Sequence, residues 1–167
     1  IVPQKPIFNS EWEDHEAALL RMLDEAAEQG LYDPDRLAIT GLSQGGHGTI
    51  IFGSKHAELF QAAAPVCGYT ERRISEDQQR LEEFGANPTD PAVVDAAKAL
   101  SAIPIWFFHG DDDSVVPVSE SRSLHAALEA LDADSHYTEF AGVNHNSWDD
   151  AYTSTELMQW FREHLSE

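Results

Sequence analysis

At 167 residues the chain fits one domain with room for a core, since domains typically run about 100–200 residues. Thirty Asp and Glu against ten Lys and Arg give a net charge of -20, a surface that repels nucleic acid and anionic membranes and argues against both as partners. No apolar run approaches the roughly 18–20 residues that span a bilayer, and a single cysteine, Cys67, rules out an internal disulfide and a Cys-based zinc site. The acidity suits an ordinary soluble acidic protein or one adapted to high salt, where screening relieves self-repulsion. The chain starts at Ile1 without a basic-then-apolar leader, as expected of a processed chain or an excerpt of a longer one.

Ile1-Val2-Pro3-Gln4 reads as the tail of a short strand. An amphipathic helix is predicted from about Ser10, its cap, to Gly30, with Ala17, Leu20, Leu23 and Ala27 at helical spacing. After the turn Tyr32-Asp33-Pro34-Asp35 come an apolar strand at 36–40, the Gly-rich turn Gly41-Leu42-Ser43-Gln44-Gly45-Gly46, and a helix to about Ser54. A short helical turn at 56–60 precedes a strand at 61–67. Residues 69–102 hold a polar helix from Glu71 to Glu83, a loop at 85–88, and a helix opened by Pro91. The run Ile103-Pro104-Ile105-Trp106-Phe107-Phe108 suits a strand covered on both faces of a parallel sheet. A helix at 119–131, a strand at 137–140 and a helix at about 154–165 complete the chain. Strands alternating with helices predict a single α/β domain over 1–167, a mostly parallel sheet with helices on both faces.

Strand, Gly-rich turn and helix around Ser43 form the context in which G-x-S-x-G exposes a nucleophilic serine. Gly41 and Gly45 are expected to be required because a Cβ at either would collide with the neighbouring element. The Gln44 amide and the helix N-terminus face negative charge developing beside Ser43. A nucleophilic serine needs a base and a carboxylate to orient it, and ligand-facing residues gather at the carboxyl ends of parallel strands. Two such loops follow: one holds Asp111, Asp112 and Asp113, the other His145 in Gly142-Val143-Asn144-His145-Asn146-Ser147-Trp148. The Asp-rich loop also reads as a polar turn or a weak cation site with Asp149 and Asp150, although the EF-hand pattern fails. His109 reads as holding the turn after its strand. His15, His56, His125 and His164 read as surface residues on helices.

Four segments together resemble a serine α/β-hydrolase of the esterase group, with dienelactone-hydrolase and prolyl-oligopeptidase-like relatives. They are G-L-S-Q-G-G at 41–46, P-V-C-G at 65–68, I-P-I-W-F-F-H-G-D-D-D-S-V-V-P at 103–117 and G-V-N-H-N-S-W at 142–148. The S-Q-G-G sequence is also similar to that of the phospholipase/carboxylesterase and acyl-protein-thioesterase group. The resemblance implies Ser43 as nucleophile, His145 as general base and acid, and Asp113 as the orienting acid. It also implies the Gln44 amide as one oxyanion donor, and a small ester substrate with neither metal nor organic cofactor. Trp148 and Tyr69 are candidates to line the pocket, Trp148 equally a packing aromatic; 69–102 is expected to form a lid with Tyr69, Phe84 and Leu81 as apolar contacts, or else an ordinary crossover with an insertion. The resemblance covers the carboxyl-terminal two-thirds of such a hydrolase, so about sixty or more residues, including the loop with the second oxyanion amide, are expected outside this chain. Peptidase or thioesterase chemistry on the same residues, or an inactive binding module, are the competing expectations.

Overall fold

The computed structural model describes residues 1–5, 10–70 and 87–166. Among these residues four parallel strands, β1 (Ala38–Leu42), β2 (Ala62–Val66), β3 (Ile105–Gly110) and β4 (Ser135–Phe140), lie side by side in chain order. The α-helices among them are α1 (Glu16–Glu28), α2 (Gln44–Lys55), α3 (Pro91–Leu100), α4 (Ser119–Glu129), α5 (Trp148–Thr153) and α6 (Thr155–His164).

The twofold alternation of side chains along a strand divides the core in two. Ala63, Ile105 and Phe107 point to one face, where Ile50 and Phe52 of α2, Val93 and Leu100 of α3, and Leu124 and Leu128 of α4 cover them. Ala62, Ala64, Val66 and Phe108 point to the other, under Ala151, Leu157 and Trp160 of α5 and α6. All five residues of β2 are buried, as a strand covered on both sides requires. Its three alanines let both helical layers approach the sheet closely. Pro65 has no N–H, so β2 gives β3 one rung fewer than a regular ladder.

Several boundaries move for identifiable reasons. The first strand starts at Ala38 rather than Arg36, because the Leu37 amide donates to Gln61 Oε1 (2.6 Å), and it continues to Leu42, just before the serine. Ile1–Gln4 is not a strand; Ile1 and Val2 are exposed. The first helix begins as a 3-10 turn over Trp12–His15, capped by a reciprocal Glu11–Asp14 box, while Ser10 hydrogen-bonds His15 Nε2 at 2.7 Å. The helix from Pro91 forms as expected, with the Asp90 side chain accepting from the Ala92 amide. The polar helix expected over 71–83 and the lid residues Leu81 and Phe84 lie outside the described residues. Helix α5 has no counterpart in the sequence reading.

The glycines of the turn divide differently from expectation. A Cβ on Gly41 would sit 2.4 Å from the Gly45 carbonyl oxygen, and one on Gly46 would sit 2.6 Å from the Val66 carbonyl oxygen. A Cβ on Gly45 meets nothing within 4 Å, so Gly45 is not excluded from carrying a side chain and Gly46 is the second constrained position. Gly41→Ala and Gly46→Ala push backbone against backbone and should each destabilise by about 1–3 kcal/mol in urea melts. Gly45→Ala should be neutral or stabilising by up to about 1 kcal/mol, since it removes a helical glycine.

Candidate active site

Ser43 links the end of β1 to the start of α2 at φ 53, ψ -115, one of three non-glycine residues with positive φ among those described. Such a conformation costs roughly 1–3 kcal/mol and persists only where surroundings enforce it. Here the Ser43 amide donates to the Val66 carbonyl (2.9 Å) and its own carbonyl accepts from the His47 amide (2.9 Å). The Gly46 and Gly68 backbones touch, locking the start of α2 against the end of β2. Gln44 is the first residue of α2, so its amide has no acceptor within the helix.

Trp12, unnoticed in the sequence reading, fixes the other side of this turn. Its indole Nε1 donates to the Gln44 carbonyl at 2.8 Å. The approach depends on Gly48, where a Cβ would lie 2.6 Å from the indole ring. The two partners are 32 residues apart, and nothing local in the sequence pairs them.

The loops after β3 and β4 are stitched together. A Cβ on Gly110 would fall 2.1 Å from the Val143 carbonyl oxygen, so the two backbones cross there. The Asp111 carboxylate accepts from the Gly142 amide (2.6 Å), and the Asp112 amide donates to the Val143 carbonyl (3.1 Å). Asn144 Oδ1 accepts from the Ser114 hydroxyl (3.0 Å) and from the amide of His145 (2.7 Å). Asp111 is thus a turn former. Among the described residues, Asp111, Asp112, Asp149 and Asp150 belong to no set of three converging ligand atoms, whereas Asp113 converges with Cys67 and His145.

Asp113 is the carboxylate turned inward. Its Oδ1 accepts from the Val115 and Val116 amides (2.8 and 2.9 Å), and its Oδ2 faces His145 Nδ1 at 2.8 Å and His109 Nε2 at 3.2 Å. His145 Nε2 in turn lies 2.9 Å from Ser43 Oγ. A carboxylate only accepts, so His145 Nδ1 carries the proton and Nε2 offers its lone pair to the Ser43 hydroxyl. Ser43, His145 and Asp113 are therefore joined by one continuous hydrogen-bond chain. His109 is fully buried, with Nδ1 at 2.8 Å from Ser121 Oγ and Nε2 also 3.0 Å from the Val116 carbonyl. It holds the turn, as expected, and also contacts the carboxylate.

Burial alone would raise the Asp113 carboxyl, but hydrogen bonds from His109, His145 and the Val116 and Val115 amides outweigh it and hold the group down to about 2. Cys67, buried beside these three groups with φ 39, has its thiol pushed up to about 11 by burial, so it stays protonated and unreactive near neutral pH. Trp148 packs edge-on against His145, centroids 5.5 Å apart and planes at 90°. Tyr69 is half-buried and finds its ring partner elsewhere, stacking on His47 at 4.4 Å and 7°.

A parallel sheet flanked by helices, with a strained serine after one strand and an acid and a histidine on later strand-end loops, defines part of an α/β-hydrolase fold. The chain belongs to the prolyl oligopeptidase family, whose profile matches residues 9–167. It is 30% identical over 139 residues to an esterase, LipQ, of Mycobacterium tuberculosis, covering 68% of this chain and 33% of that protein. The crystal structure of a thermostable esterase superposes with a TM-score of 0.72 at 30% identity, over 88% of this chain and 36% of that one. An acylaminoacyl peptidase of Pyrococcus horikoshii shares the fold at a TM-score of 0.68 and 18% identity, over 91% of this chain and 28% of that one. The chain thus spans about a third of the length of these two esterases.

The Asp113 bonds predict an acid limb in stability. A carboxyl depressed from its ordinary 3.8 to about 2 contributes stability that is fully present above pH ~4 and lost as pH falls through ~2. Asp113→Asn should therefore be less stable than the parent at pH 7, and the gap should shrink between pH ~4 and ~2 in melts followed by circular dichroism.

Proposed function

We propose that this chain carries the nucleophile, base and acid of a serine hydrolase that cleaves carboxylic esters through an acyl-enzyme. The observation that carries the reading is the unbroken Asp113–His145–Ser43 hydrogen-bond chain, with the serine on a strained turn at a helix N-terminus. Ser43 Oγ attacks the ester carbonyl while His145 Nε2 takes its proton. The same nitrogen returns the proton to the leaving alcohol, and water then repeats the sequence to release the acid. Asp113 keeps Nδ1 protonated and stabilises the imidazolium that forms. The Gln44 amide, at the positive end of α2, donates to the oxyanion. Trp148 packs edge-on against His145, and Tyr69 stacks on His47 of α2, one helical turn beyond the serine. A site with a single such donor is slower by roughly 10²–10³ than one with two.

Peptide hydrolysis by the same residues is the second reading, favoured by membership of the prolyl oligopeptidase family. A matched series of p-nitrophenyl esters and acyl-peptide p-nitroanilides separates the two by the ratio of their kcat/KM values. Ser43→Ala should lower ester turnover by about 10⁴-fold or more with the fold unchanged. Fluorophosphonate should label the parent at Ser43 and leave that variant unlabelled. An unlabelled parent would instead point to an inactive binding module.

The Trp12–Gln44 bond gives a subtler prediction. Trp12→Phe keeps a ring over Gly48 but loses the donor to the Gln44 carbonyl, so kcat should fall about 2–10-fold with KM nearly unchanged.

A further inference from the structure

One turn along α2 from Ser43, His47 is buried to 1% exposure, and the hydrolytic reading gives it no part. Its Nδ1 lies 2.8 Å from the Tyr69 carbonyl oxygen. A carbonyl only accepts, so Nδ1 carries a proton, and in the neutral ring Nε2 presents a bare lone pair. That nitrogen has no hydrogen-bond partner among the described residues. It points at Glu13 Oε2, 3.4 Å away, and the ligand atoms of His47, Glu13 and Glu11 all lie within 4.8 Å of one another. A lone pair facing a carboxylate is repulsive unless something cationic joins them.

We propose that Glu11, Glu13 and His47 form a binding site for a borderline divalent cation such as Zn²⁺, which clamps the Glu11–Asp14 segment onto α2. Three observations support the ion over an added proton. The first is the separation. Charge-assisted N–H···O bonds run about 2.7–2.9 Å, whereas two ligands on a tetrahedral ion with bonds of ~2.1 Å stand ~3.4 Å apart. The second is the Tyr69 carbonyl, which fixes tautomer and ring plane as the outer partner of a ligating histidine usually does. The stacked Tyr69 ring immobilises the imidazole further. The third is the ligand set. One imidazole with two carboxylates suits zinc and its neighbours, whereas calcium and magnesium take oxygen ligands.

The ion has a structural effect and no role in the reaction. Trp12 lies between the two carboxylates in the chain and donates to the Gln44 carbonyl. The His47 amide donates to the Ser43 carbonyl. Fixing Glu11 and Glu13 to His47 therefore braces the serine turn from outside the reacting groups.

The test titrates chelator-treated protein with Zn²⁺ by calorimetry and follows thermal unfolding with and without the ion. One ion per chain should bind and raise Tm, while equal concentrations of Mg²⁺ and Ca²⁺ should not. Glu13→Gln, a half-exposed isosteric change, and His47→Gln should each weaken binding by about 10–100-fold or more. Because Glu13→Gln leaves the buried imidazole in place, it keeps the test informative if the His47 variant misfolds. Zn²⁺ affinity unchanged in Glu13→Gln, or ¹⁵N spectra of the chelated and Zn²⁺-treated protein that both show His47 protonated on both nitrogens at neutral pH, would overturn the proposal. Neither readout depends on turnover, so the outcome is independent of whether the hydrolase reading holds.

Discussion

Helix α2 can begin where it does only because its first turn lies against bare backbone. Gly46 and Gly68 meet with no side chain between them, and the Val66 carbonyl that accepts from Ser43 is the same oxygen a Cβ on Gly46 would strike. Displace that contact by the width of a methyl group and the Ser43 amide loses its acceptor, the positive φ loses its restraint, and the Gln44 amide turns away. Everything assembled at the carboxyl edge of the sheet is measured from this point. The all-alanine inner stretch of β2 serves the same end, because small side chains let α2 approach closely on one face and α5 and α6 on the other.

The second constraint is electrostatic. A carboxylate as deeply buried as Asp113 is costly to hold charged unless its oxygens are satisfied. Two amides occupy Oδ1 and two histidines face Oδ2, so protein donors hold the charge. The backbone supplying those amides is held in turn by the crossing of the β3 and β4 loops at Gly110. Position and charge state thus have a common origin in loop geometry.

Much of this was legible in the sequence. Ser43 was visible because strand, glycine turn and helix leave a local signature, and Asp113 and His145 because each follows an apolar run at a strand end. Choosing Asp113 over its neighbours needed the resemblance, since three adjacent aspartates look alike until one is seen facing inward. Gly45 was misjudged because the pentapeptide pattern marks it, whereas the steric demand falls one residue later, at Gly46. Trp12 and His47 escaped notice because their contacts, to Gln44 and to Glu13 and Tyr69, are made across the fold and follow no spacing rule. Helix α5 was missed because six residues carry too little periodicity to separate helix from loop.

The paired histidines at Asp113 have a consequence for motion. In the proposed reaction His145 Nε2 serves both the serine oxygen and the leaving group while its Nδ1 stays bonded to the carboxylate. His109 is held still, being fully buried and tied to Ser121 and the Val116 carbonyl. Asp113 therefore keeps one fixed imidazole and two amides whatever small shift the other imidazole makes. The fixed ring leaves the acid anchored, so a shift of His145 strands no bare charge in the protein interior.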